Sequence, residues 1–308
     1  MDSEEYAVDT ILEAIDNMTP PSKQPKVLLF DIGGVCVVSP FQSILDYELS
    51  LGIPPGWVNF CISKTAPSGF WHQLEIGSIP MDAAFFAGFN RDLHDPARWA
   101  TFYTQVQQAK GFPSEDVVVP PVPNLDGEWL FNDMMSSARA PDPWMFPALK
   151  RLHASGKHIV AALSNTVIFP PGHEYAQTDF LLDDPVRSLF DVFVSSAHVG
   201  LRKPDPKIYQ LALRRVDEFA RANADTERGK ALRFPGSEGV SASDIVFLDD
   251  IGENVKAARK AGFQTIKVPL GRAYEAVEEL EKVTGLALAG DHPKIPIKPK
   301  FNTQKSKI

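Results

Sequence analysis

Apolar residues in this chain follow two rhythms: short unbroken runs, and longer stretches in which they recur every three or four positions. Val27-Leu28-Leu29-Phe30 is the first unbroken run. It is β-rich and free of polar alternation, as expected of a strand buried on both faces of a parallel sheet. Runs at 158–163, 190–195, 245–248 and 265–268 predict further strands. Helical spacing fills the gaps. Asp142-Pro143 opens a helix with Leu149 and Leu152 inward and Gly156 at its end, and Asp205-Pro206 caps another. A helix ending at Gly262 and one over 273–283 complete the series. Strands alternating with helices predict an α/β fold with a Rossmann-like doubly wound parallel sheet.

From 41 to 139 the texture changes to dense aromatics at helical spacing, broken by prolines. Asp95-Pro96 reads as an N-cap followed by Pro at the first helical position, and Trp99, Phe102, Tyr103 and Val106 line one face. Such a stripe is the pattern of a packed core. The segment is therefore expected to be an α-helical cap inserted after the first strand, placed over the crevice as a lid. Residues 1–23 predict an N-terminal helix and linker, stopped by Thr19-Pro20-Pro21. Residues 24–40 and 140–288 form the expected core. Residues 222–243 are polar and glycine-bearing, an irregular excursion, and 289–308 read as a flexible C-terminal tail.

Composition narrows the classes. A chain of 308 residues can bury a full core, and its net charge of −8 gives no basic field for nucleic acid. Two cysteines, Cys36 and Cys61, make neither a disulfide framework nor a zinc pattern and fit a reducing compartment. No apolar run reaches the length of a membrane span, and the acidic N-terminus lacks the pattern of a signal peptide.

The chemistry gathers where the predicted strands end, which in open α/β sheets is where ligands bind. Asp31 follows the first run, and Gly33-Gly34 let the backbone turn tightly. A carboxylate there can attack a substrate, bind a cation or cap a turn. Ser164 and Asn165 follow the second run; they suit an anionic oxygen or an ordinary turn. Lys203, stiffened by Pro204, either aims a point charge at the crevice or is solvated. Asp249-Asp250 follow the fourth run, and adjacent carboxylates repel unless a cation neutralises them. Hard oxygen ligands favour Mg²⁺.

Taken in this order, Phe30-Asp31-Ile32-Gly33-Gly34-Val35, Leu163-Ser164-Asn165-Thr166, Gly200-Leu201-Arg202-Lys203-Pro204-Asp205-Pro206 and Phe247-Leu248-Asp249-Asp250-Ile251-Gly252-Glu253-Asn254 resemble the motifs of the haloacid dehalogenase superfamily. The likeness is greatest to the phosphatase domain at the N-terminus of soluble epoxide hydrolases, and covers about residues 26 to 287. It does not extend to an epoxide-hydrolase domain, so epoxide hydrolysis is not implied. The resemblance implies a Mg²⁺-dependent phosphomonoester phosphatase acting on a small phosphorylated substrate. Asp31 would be the nucleophile and form an aspartyl-phosphate. Ser164 and Asn165 would hold the phosphoryl oxygens, and Lys203 would neutralise the transferring group. Asp31, Asp250, Asp249 and the backbone carbonyl of Gly33 would bind the metal.

One position departs from the pattern. Many phosphatases of the superfamily carry an acid/base aspartate two residues after the nucleophile; here that position is Gly33. General acid–base help is worth about 10²–10⁴ in rate. A good leaving group needs less of it, and His72 or Glu75 in the cap offers a substitute. The departure keeps two alternatives open: a catalytically weak phosphate-ligand binding or regulatory protein, and a 2-haloacid dehalogenase. Finally, Ser306-Lys307-Ile308 resembles a peroxisomal address read by an import receptor, so the expected location is cytoplasmic or peroxisomal.

Overall fold

The computed structural model describes residues 24–176 and 184–300. The predicted N-terminal helix and the Ser306-Lys307-Ile308 ending lie outside the described residues.

Five strands, β1 (Val27–Phe30), β2 (Ile159–Ser164), β3 (Val192–Ser195), β4 (Ile245–Asp249) and β5 (Gln264–Lys267), form one sheet in the order β3-β2-β1-β4-β5. Every pairing is parallel. β1 lies at the centre, with Phe30 opposite Ala162 on one side and Leu248 on the other. This register brings Asp31, Ser164 and Asp249 out at the same edge.

Between β1 and β2 come α1 (Pro40–Ser50), α2 (Trp57–Lys64), α3 (Phe70–Glu75), α4 (Ala83–Leu93), α5 (Pro96–Ala109), α6 (Gly127–Ser137) and α7 (Met145–Ser155). α8 (Ser196–Val199) and α9 (Pro206–Ala222) follow β3, and α10 (Glu227–Ala231) precedes β4. α11 (Gly252–Lys260) precedes β5, and α12 (Ala273–Thr284) follows it. Alternate residues of β1 face opposite layers. Leu28 and Phe30 pack with Leu149 and Leu152 of α7 and Val277 and Leu280 of α12. Val27 and Leu29 pack with Ile208, Tyr209 and Val216 of α9 and Ala258 of α11. The sheet is thus doubly wound, as the uninterrupted apolar runs required.

α1 to α6 bury a separate core that includes Trp57, Phe85, Phe89, Trp99, Phe102 and Phe131. Capping sets the helix starts. Ser39 accepts from Phe41 N with Pro40 at the first position, and Asp82, Asp95 and Asp126 accept from Phe85, Arg98 and Trp129 N. The aromatic stripe is therefore packing, and α1 to α6 follow β1 in the chain.

Two expectations change. The 222–243 segment is not wholly irregular. Thr226 caps α10, whose Arg228 donates to Asp191 and to the carbonyls of Gly156 and His158. One guanidinium fixes this helix, so no apolar period announced it. The tail is not free through residue 300 either. Trp144 Nε1 donates to Pro293 O at 3.0 Å, Ile297 N to Gly271 O at 3.0 Å, and Lys300 N to Asp46 Oδ1 at 2.8 Å. Isolated backbone hydrogen bonds leave no sequence signature. No helix among the described residues is long and apolar enough to cross a membrane.

Candidate active site

Asp31 leaves the sheet with its N–H still in the ladder, donating to Leu248 O at 2.8 Å. The chain then curls: the amides of Cys36 and Val37 both donate to Ile32 O. This turn buries Asp31, whose Oδ1 accepts from Ile32 N at 2.7 Å and lies 2.9 Å from Lys203 Nζ. Burial pushes the Asp31 carboxyl up to about 6, against the pull of Lys203 and with help from Asp249.

Lys203 is 1% exposed. Its ammonium bridges two carboxylates, at 2.9 Å from Asp31 and 2.6 Å from Asp249 Oδ2. Burial alone would pull this ammonium down, but Asp249 and Asp31 outweigh it and lift it above the ordinary lysine value. The solvated alternative for Lys203 is thereby excluded.

The adjacent aspartates part company. Asp249 is wholly buried and fully engaged. Its Oδ2 meets Lys203, its Oδ1 accepts from Ile251 N at 2.7 Å, and Asn254 Nδ2 donates to both oxygens at 3.1 Å. Asp250 is sparsely engaged. Its Oδ2 accepts from Ser39 Oγ at 3.4 Å, and its Oδ1 is buried with no hydrogen-bond partner. Burial, then Asp31 and Asp249, push the Asp250 carboxyl well up. Asp31, Asp249 and Asp250 each bring one oxygen within 4.8 Å of the others. A bare buried oxygen among hard carboxylate donors fits a divalent cation such as Mg²⁺.

Gly34 makes room for that cluster. Its φ is +76°, and a Cβ there would lie 2.1 Å from Asp250 Oδ2. Gly33 is different: a Cβ there would meet only the Pro40 ring, at 3.5 Å. A Cβ at 33 would make only ordinary van der Waals contact.

Ser164 is buried at the end of β2, and its Oγ reaches the Asn165 carbonyl at 3.4 Å. The Asn165 side chain is turned to the lysine loop. Its Oδ1 accepts from Lys203 N at 2.8 Å, and its Nδ2 donates to Lys203 O at 3.1 Å. Its amide positions Lys203, a role the sequence did not indicate.

The candidates in the insertion sit at its junction with the core. His72 is buried, and its Nδ1 has no hydrogen-bond partner. Burial and the charge of Arg202 push it down to about 4, so it is a neutral ring at pH 7. Glu75 is paired with Arg202. Sequence reasoning missed Asn254, Ser39 and Arg202. Only Asn254 carried a local signal: it lies five residues beyond Asp249, just inside α11, within reach of the preceding strand end.

No family model matches the chain. Mouse acyl-CoA dehydrogenase family member 10 is 27% identical over 270 residues, covering 85% of this chain and 19% of that protein. Pig bifunctional epoxide hydrolase 2 is 25% identical over 264 residues, covering 85% of this chain and 39% of that protein. The chain thus spans about a fifth and about two fifths of these relatives' lengths. Sesquiterpene phosphatase astK of Aspergillus oryzae is 24% identical over 260 residues, covering 84% of this chain and 97% of that protein. Among solved structures, a dehalogenase with an intermediate complex overlaps with a TM-score of 0.46 at 16% identity, covering 86% of this chain and 99% of that one. An aspartate that leads from the central strand into a helical segment is met by a lysine and paired aspartates from later in the chain. That convergence sits at the strand ends of an all-parallel sheet, in a chain similar over most of its length to a bifunctional epoxide hydrolase and to a sesquiterpene phosphatase.

Proposed function

We propose that the protein is a Mg²⁺-dependent phosphomonoester phosphatase that works through an aspartyl-phosphate on Asp31. The observation that carries this reading is the pairing of Asp31 with a buried ammonium at 2.9 Å beside an Asp250 oxygen that lacks any partner. Asp31, Asp250 and the carbonyl of residue 33 would hold the ion. Bound there, Mg²⁺ would offset the charge that phosphoryl and carboxylate oxygens bring together.

The chain's own groups have distinct tasks. An Asp31 carboxylate oxygen attacks phosphorus, and the bond from phosphorus to the ester oxygen breaks. The leaving oxygen carries off that electron pair and takes a proton from solvent, since Gly33 supplies none. Lys203 balances negative charge on Asp31 and on the phosphoryl group, an electrostatic role suited to a water-poor site. Asp249 and Asn165 hold Lys203 in place from its ammonium and its backbone. Water then attacks phosphorus, releasing inorganic phosphate and restoring the Asp31 carboxylate.

Gly33 favours esters whose leaving group departs without protonation, such as anomeric or acyl phosphates. It also favours a second reading, a protein that binds phosphate ligands and turns them over weakly. A panel of phosphate esters assayed with and without Mg²⁺, for wild type and Asp31→Asn, separates the two. Turnover that needs Mg²⁺ and disappears in Asp31→Asn supports the phosphatase. Phosphate binding without turnover across the panel supports the second reading. Halide release from a short 2-haloacid, insensitive to chelator, would instead indicate a dehalogenase.

A further inference from the structure

Glu75, the last residue of α3, is tied to the lysine loop from two directions. Its Oε2 accepts from Arg202 Nε at 2.7 Å, with Arg202 Nη2 also at 2.7 Å. Arg202 directly precedes Lys203. The backbone carbonyl of Glu75 lies at the end of its helix, where carbonyls lack an intrahelical partner. It accepts from Ser196 Oγ at 2.5 Å, and the same hydroxyl oxygen accepts from Thr166 N at 2.8 Å. Thr166 directly follows Asn165, whose amide brackets the Lys203 backbone. The links close on themselves, running Glu75, Arg202, Lys203, Asn165, Thr166, Ser196 and back to Glu75.

This ring is largely buried. Ser196 is fully buried, and the Glu75 and Arg202 side chains are 10% and 22% exposed. The turn after α3 rests on the α8 backbone: Gly77 has φ +67°, and a Cβ there would lie 2.3 Å from Ala197 O. One short charge-assisted hydrogen bond, with a second guanidinium nitrogen against the same carboxylate oxygen, holds Arg202 on Glu75. Since Arg202 and Lys203 share a peptide unit, a fixed Arg202 limits where the lysine chain can start.

We infer that Glu75 is a positioning residue through which the helical insertion sets Lys203, so that seating the insertion on the core completes the charge arrangement at Asp31. A substrate held by the insertion thereby influences the chemistry at the strand ends without touching it. The kinetic side of this inference rests on the phosphatase reading; the structural side does not.

The variants Glu75→Gln and Arg202→Gln, with their double, test it. Each single variant leaves a buried charge unpaired and loses thermal stability; the double removes both charges and regains it. With Lys203 misplaced, kcat for an aryl phosphate falls by roughly 10²-fold in all three, with KM little changed. Amide exchange read at Lys203 and Thr166 is faster in the double than in wild type, while β1 and β4 are unchanged. A double variant whose kcat returns with its thermal stability, or whose Lys203 amide exchanges at the wild-type rate, reduces the pair to an ordinary interface contact and overturns the inference. Wild type inert towards every phosphate ester would defeat the phosphatase reading alone, since amide exchange still decides the role of Glu75.

Discussion

The sheet core and the helical insertion each bury a hydrophobic core but use burial differently. In the core, Asp31, Lys203, Asp249 and Asn254 are 6% exposed or less and bond to one another at the strand ends. In the insertion the buried mass is aromatic, with Trp57 edge-on to Trp99 at 5.1 Å and Phe85 stacked on Phe89 at 5.9 Å. Its buried Glu48 serves structure, accepting the amides of Gly56 and Val58 at the start of α2. Buried polarity in the core gathers around Lys203 at the strand ends; within the insertion Glu48 completes a helix start, and Glu75 faces the core. Perturbing the two regions should therefore separate activity from stability.

The largest effect falls on the core. Lys203→Met leaves Asp31 and Asp249 buried without their cation, and loses both turnover and about 3–5 kcal/mol of stability by urea unfolding. Trp57→Ala in the insertion costs a similar ~3–5 kcal/mol by removing a fully buried ring, yet the folded fraction keeps Mg²⁺-dependent turnover. Equal loss of specific activity in both would erase the distinction between the regions.

Next in size is a gain. Gly33 has room for a Cβ where Gly34 has none. Gly33→Asp restores a carboxylate able to protonate a leaving oxygen, and turnover of alkyl phosphates with poor leaving groups rises by about 10²-fold. Gly34→Ala displaces the Asp250 carboxylate and weakens Mg²⁺ affinity measured by calorimetry. No gain in Gly33→Asp would show that the missing acid is not what limits this chain.

The smallest effect is a pH response of opposite sign in the two regions. In the core, burial holds His158 down at about 4. A folded pKa below the unfolded value near 6.5 gives stability that is complete above pH 6.5 and lost as pH falls through 4. In the insertion, burial holds Glu48 up at about 7. Its contribution is complete below an unfolded value near 4.5 and lost as pH rises through 7. Urea midpoints across pH 4 to 8 should lose part of their acid slope in His158→Leu and part of their alkaline slope in Glu48→Gln. Unchanged slopes would mean that neither group titrates with folding.

What the sequence disclosed follows the same division. The strands were legible because a buried parallel strand must be apolar throughout, and Asp31 and Asp249-Asp250 stood out because charge is rare at the end of such a run. Gly33-Gly34 signalled a close approach, which proved to be Gly34 against Asp250. The partnerships were not legible. Asp249 takes Lys203 as its cation although adjacent carboxylates suggested a metal for both, and Glu75 meets Arg202 from 127 positions away. Pairing at that range depends on how the insertion seats, which no local pattern encodes. Helix α10 and the docked 289–300 segment were missed because a few polar bonds, rather than an apolar period, hold them.

The most direct test of the central claim is to quench the enzyme in acid during turnover of an aryl phosphate, treat it with hydroxylamine and examine the Asp31 peptide by mass spectrometry. An acyl-phosphate on Asp31 predicts a hydroxamate at that residue, dependent on both substrate and Mg²⁺. Continued turnover with Asp31 unmodified, or a hydroxamate at another carboxylate, would contradict it.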